Sequence, residues 1–99
     1  MEKKKRAKQY VIVRTYSAGV FMGYLKRRHG MEVELEKARR IWRWEGAASL
    51  SQLAASGTSR PGGCKFPEPV NVILTQAIEI LSVTPAAKKT LEEVGIWKV

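Results

Sequence analysis

The chain predicts a mainly β, α+β fold: a small, strongly bent antiparallel sheet or partly open barrel with two short helices. Three observations predict it. Residues 9–16 and 20–25 are runs rich in β-branched and aromatic residues, separated by Ser17-Ala18-Gly19. Residues 31–36 alternate apolar with acidic side chains at period two. The segments that follow Ser49 and Thr84 carry helical spacing, and each opens on a capping residue.

Taken in order, Gln9 to Tyr16 forms a first strand, Ser17-Ala18-Gly19 turns the chain, and Val20 to Leu25 returns as a second strand. Lys26-Arg27-Arg28-His29-Gly30 reads as a second turn. In the third strand Met31, Val33 and Leu35 point to the core, while Glu32, Glu34 and Glu36 face outward toward arginines of a neighbouring strand. Arg40-Ile41-Trp42-Arg43-Trp44 alternates again as a fourth strand, which places Trp42 and Trp44 on one face. Ser49 then caps a helix of about two turns containing Leu50, Leu53 and Ala54, and Gly57 stands where a left-handed C-cap belongs. Thr58 to Gly63 has the composition of a flexible loop, and Pro67 and Pro69 bracket an extended edge segment. A long strand from about Val72 to Val83 is expected to bend or bulge near Thr75 to Ala77. Thr84-Pro85 opens a terminal helix in which Ala86, Ala87, Leu91 and Val94 face the body.

A length of 99 residues allows one domain, residues 10–99, behind a basic arm, residues 1–9, because so short a chain cannot sustain two cores. A hydrophobic share of 44% excludes a disordered chain. The apolar runs Val70 to Leu74 and Ile78 to Leu81 fall far short of the roughly 18 residues of a membrane span. With charge directly after Met1, the expectation is a cytoplasmic protein with no membrane partner. Cys64 has no second cysteine to pair with, and His29 is the one histidine, so no metal and no cofactor are expected.

The formal net charge is +9, and Lys3, Lys4, Lys5, Arg6 and Lys8 against Glu2 give the first eight residues +4 of it. Charge of this density attracts polyanions. The arm reads either as a solvated solubility segment or as a nucleic-acid arm.

Val13 to Val20, Gly23, Leu25, Ala38-Arg39-Arg40-Ile41-Trp42, Trp44, Gly46-Ala47, Ser49 to Ala54 and Gly57 resemble a family of small proteins widespread in tailed-phage genomes. The resemblance covers about Tyr10 to Lys98 and continues through Ile73-Leu74-Thr75 and a terminal helix ending near Trp97. It implies a phage origin and an accessory role in the infected bacterium, without enzymatic activity.

The candidate site is the segment in which Arg39, Arg40 and Arg43 interleave with Trp42 and Trp44 and run into Ser49, Ser51 and Gln52. Guanidiniums, indole faces and a helix start suit a planar or phosphate-bearing ligand. Arg14, Tyr16 and Ser17 at the first turn are further candidates. Each also has a structural reading: Ser49 caps, the arginines pair with glutamates, and the tryptophans fill the core. His29 and Cys64 lack the neighbours that a nucleophile and its base require, so catalysis has the least support. Three functions follow as expectations. One is a sponge that sequesters a nucleotide signal of anti-phage defence in the host cytoplasm, another is a nucleic-acid-binding protein, and the third is a virion or assembly component. A homo-oligomer is expected in each case, because a small core is more easily stabilised by association.

Overall fold

A computed structural model describes residues 8–99; Lys3, Lys4, Lys5 and Arg6 of the expected arm lie outside the described residues. Five strands, β1 (Tyr10–Thr15), β2 (Val20–His29), β3 (Glu32–Arg40), β4 (Val70–Leu74) and β5 (Ala77–Ser82), form one sheet in the order β4-β3-β2-β1-β5. Every neighbouring pair is antiparallel. Two helices, α1 (Leu50–Ser56) and α2 (Pro85–Glu92), complete the mainly β fold that the sequence predicts. No helix among the described residues is long and apolar enough to cross a membrane.

Period-two alternation sends adjacent residues of β1 and of β2 into two different cores. Ile12 and Met22 pack with Ile41, Leu53, Phe66 and Leu91 on the face covered by the helices. Val11, Val13, Phe21, Val33 and Leu35 pack with Leu74 and Ala77 on the other face. This second core draws on all five strands and no helix, so the sheet encloses it by bending over itself. The bend is written into the β2–β3 ladder, whose register shifts between Met22 and Tyr24 and again between Leu25 and Arg27. A Cβ at Gly23 would lie 2.9 Å from the Ala38 backbone, so glycine is what permits the close approach at the first shift. The coiled hairpin brings its tip to β5, where the Ala77 N–H donates to Met31 O at 3.0 Å. Nearby the Tyr16 N–H donates to Gln76 O at 2.9 Å.

Several sequence expectations are corrected. Lys26 to His29 continue β2 rather than turning, because Arg27 lies across the ladder from Glu34 and binds it at 2.8 Å and Glu32 at 2.9 Å. Met31 sits in the turn and is 58% exposed instead of joining the core. No fourth strand runs from Arg40 to Trp44; β3 ends at Arg40, and a lone bridge joins Arg43 to Lys65. The long strand expected from Val72 to Val83 is two strands on opposite edges of the sheet, broken at Thr75-Gln76. The loop expected at Thr58 to Gly63 holds a 3₁₀ turn, Pro61–Gly63, and Thr58 is buried with its hydroxyl donating to Glu45 O. Ala86 is exposed, whereas Ala87, Leu91 and Val94 are buried as expected.

Both helix starts follow their capping residues. The Ser49 hydroxyl accepts from Gln52 N, and Thr84 accepts from Ala87 N at 3.0 Å while donating to Ala55 O at 2.8 Å, which ties α2 to α1. Gly57 ends α1 with φ 76°, and a Cβ there would collide with the Thr90 hydroxyl. Only glycine meets both conditions.

Candidate functional site

Arg39 lies on the helix-covered side of β3, and four of its five N–H donors are used. Its guanidinium donates to Pro67 O at 3.1 Å, Phe66 O at 2.8 Å, Val94 O at 2.9 Å and Gly95 O at 2.9 Å, with its carbon 5.4 Å from the centre of the Phe66 ring. Burial lowers its pKa from the ordinary guanidinium value. The residue is a clamp between the segment entering β4 and the chain leaving α2. These bonds favour the structural reading of Arg39 over a ligand contact.

The neighbouring cations divide differently. Arg40 lies over Phe21, its guanidinium carbon 4.3 Å from the ring centre, and donates to Ala18 O. Arg43 binds Glu45 at 2.9 Å, and Arg60 approaches the same carboxylate at 3.6 Å. One carboxylate between two guanidiniums leaves a net positive patch, and both side chains stay more than half exposed. Trp44 is half-buried against the helix-side core, with its indole N–H donating to Ala47 O at 3.1 Å. The helix start is partly capped from within: Gln52 N donates to Ser49 Oγ at 3.2 Å, and Ala48 N donates to Gln52 Oε1 at 2.8 Å. Ser51 is exposed on α1.

Trp42 does not share a face with Trp44. Its indole is 62% exposed and stacks on Trp97, with ring centres 6.1 Å apart and planes 14° from parallel. The Lys65 ammonium sits 5.3 Å from the Trp97 ring centre. Backbone pairing fixes this arrangement: the Trp42 N–H donates to Lys65 O at 3.1 Å, and the Trp97 N–H donates to Phe66 O at 3.0 Å. The chain after α2 therefore runs as an extended strip, with Ile96 bridged to Phe66, and not as the continuing helix expected near Trp97.

The remaining candidates lie elsewhere. Arg14 pairs with Glu79 at 2.9 Å, and Tyr16, 76% exposed, borders Met31, Gln76 and Ile78. Ser17 is exposed in the first turn. Lys8 binds Glu36 at 2.6 Å, and the adjoining Gln9 O accepts from Leu25 N at 2.8 Å, so this part of the arm lies against the sheet. The structure thus separates the predicted residues into a clamp, a cap, a remote turn and one exposed aromatic surface. Sequence reasoning missed Trp97 and Lys65, which complete that surface. The signal for Trp97 was an indole beside Lys98 close to the chain end, whereas Lys65 gave none before the bridge to Arg43 was known. Among the described residues, no group of three or more His, Cys, Asp or Glu side chains is placed to hold a metal ion.

Fold and site together define a small β protein with a bent, open sheet and a basic aromatic surface at the junction of the Trp42 segment and the C-terminal strip. Residues 8–91 match the family described as Domain of unknown function (DUF6948), and the chain belongs to that family. No curated protein and no solved structure matches it.

Proposed function

We propose that this protein binds single-stranded nucleic acid on the Trp42–Trp97 surface and acts without turnover. The observation that carries the reading is the exposed Trp42 indole, held flat on Trp97 with Lys65 beside the pair. An indole face left in water is a stacking platform for an unpaired base, and nearby cations take the phosphates. Arg43 and Lys98, the chain neighbours of Trp42 and Trp97, carry further positive charge, and Arg60 shares Glu45 with Arg43. The net charge of +9 adds long-range attraction for a polyanion.

A small phosphate-bearing nucleotide, sequestered as a defence signal, would use the same indoles. What favours a strand over this second ligand is the engagement of the arginines. Arg39 spends its donors on four carbonyls, Arg40 lies on Phe21, and Arg43 shares Glu45 with Arg60, so the three do not converge on one phosphate. A phage origin and an accessory role in the infected cell, as the resemblance implies, accord with either ligand.

Fluorescence anisotropy with a labelled short single-stranded oligonucleotide, its duplex and a panel of linear and cyclic nucleotides tests the reading. The single strand is expected to bind best, with the logarithm of affinity falling by about 0.7 per phosphate contact for each tenfold rise in salt. Trp42→Ala should weaken binding by about 1 to 3 kcal/mol. A small nucleotide that binds tighter than the oligonucleotide would transfer the surface to the sponge reading.

A further inference from the structure

At the opposite edge of the sheet from β4, the β5 strand Ala77-Ile78-Glu79-Ile80-Leu81-Ser82 has β1 as its one strand neighbour among the described residues, with its first amide, Ala77 N–H, taken by Met31 O of the β2–β3 tip. Its ladder fixes which backbone groups remain open. Val83 pairs with Tyr10 by hydrogen bond, so in the same register Leu81 and Glu79 face β1 while the N–H and C=O of Ile80 and Ser82 face outward. Strand edges are commonly guarded by lysine, proline or a short length. Here the strand's one charge is Glu79, and Arg14 pairs with it at 2.9 Å.

Beside this edge lies a cleft of about 520 Å³ between the β2–β3 tip and β5, with Arg28 on the tip wall and Glu79 on the β5 wall. It continues into a shallower apolar hollow formed by Tyr16, Met31 and Ile78, which are 76%, 58% and 48% exposed. Large apolar side chains grouped at an open strand edge mark an association surface.

We propose that this edge joins a second copy of the chain, β5 against β5, about a two-fold axis. Two features select a copy over an unrelated strand. An antiparallel edge is complementary to itself under a two-fold axis, so the outward groups of Ile80 and Ser82 find partners without a second sequence being specified. The charges are self-complementary as well: a cleft with Arg28 on one wall and Glu79 on the other meets its rotated image with each charge opposite its counterpart. In a chain of net charge +9 the groups named on this face, Arg14 and Arg28 against Glu79, leave an excess of one positive charge, a small part of the total, so two copies meet less repulsion here than the net charge alone would give. The surface stands apart from the aromatic platform, and the proposal is independent of the ligand.

Sedimentation equilibrium across a concentration series, together with amide hydrogen exchange, tests the proposal. The full chain is expected to dimerise, and the Ile80 and Ser82 amides to exchange more slowly as concentration rises. Ile78→Glu, at a position already 48% exposed, should keep the circular dichroism of the wild type, and its thermal midpoint at dilutions where both proteins are monomeric, while weakening dimerisation by about tenfold or more. A wild-type chain that stays monomeric would overturn the proposal. So would a dimer unaffected by Ile78→Glu, or one in which the Ile80 and Ser82 amides exchange at the same rate at every concentration. Protection of those amides in the monomer would assign the edge to another segment of the same chain and equally exclude the copy.

Discussion

Arg39 and Trp42 stand three residues apart in one basic, aromatic segment, yet their surroundings oppose each other. Around Arg39 the cation is partly buried and four carbonyl oxygens take hydrogen bonds from it. Around Trp42 the indole projects into water, and its fixed contacts are another indole and its own backbone. The difference follows from where β3 ends. Arg39 is the penultimate residue of the strand and inherits its inward alternation toward Phe66, whereas Trp42 lies past the strand end on a backbone held by Lys65 alone. Residue type set what these side chains could do, and the strand boundary set which of them does it.

The largest expected effect breaks the enclosed region. Arg39→Ala removes four hydrogen bonds at once and frees the C-terminal strip, so urea denaturation should show a loss of about 3 kcal/mol, a large part of the roughly 5 to 15 kcal/mol a domain possesses. Arg39→Lys should recover little, because an ammonium cannot present the guanidinium's fork to several carbonyls. Trp97 is carried by the same strip, so nucleic-acid affinity should fall along with stability.

The two tryptophans sharpen the contrast at intermediate size. Trp44→Ala opens the helix-side core and leaves Ala47 O without its donor, for an expected stability loss of about 2 kcal/mol. Trp42→Ala removes one stacked pair at the surface, for about 1 kcal/mol or less. Binding should show the reverse order. Equal losses of affinity in the two variants, measured at a temperature where both remain folded, would mean that Trp42 has no privileged role.

Local signals found the local features. Ser49, Gly57 and Thr84 announced both helices, and alternation through Val33 and Leu35 announced the third strand. What escaped was set by partners distant in sequence. The break at Thr75-Gln76 is invisible in a run of apolar residues, because only the sheet order shows that β4 and β5 belong to opposite edges. Lys26 to His29 resembled a turn because charged residues crowd there, and only Glu32 and Glu34 across the ladder make the segment a strand. For the candidate site, the sequence singled out Trp42 and its basic neighbours. It could not show that Arg39 was already engaged or that Trp97 would arrive from the other end of the chain.

The smallest effect expected at neutral pH concerns Tyr10, which belongs to the enclosed side. Its ring meets Tyr24 edge-on at 4.9 Å, and the Lys88 ammonium lies 5.3 Å from its centre. Burial, aided by Tyr24 and opposed by Arg39 and Lys88, pushes its phenol up to about 12. A phenol whose pKa is raised by folding holds its proton more tightly in the folded state than in the unfolded chain. Its contribution is therefore complete below about pH 10, the ordinary phenol value, and is lost as pH climbs toward 12. Tyr10→Phe should leave stability at neutral pH within about 0.5 kcal/mol of the wild type, since the ring and its contacts remain. Across the alkaline interval the variant's urea midpoint should decline less steeply than that of the wild type. Ultraviolet phenolate absorbance on the folded protein should show one late-titrating tyrosine that the substitution removes. Parallel alkaline profiles for the two proteins would show that the phenol is not enclosed, and the line between the partly buried clamp and the open platform would have to be drawn closer to Arg39.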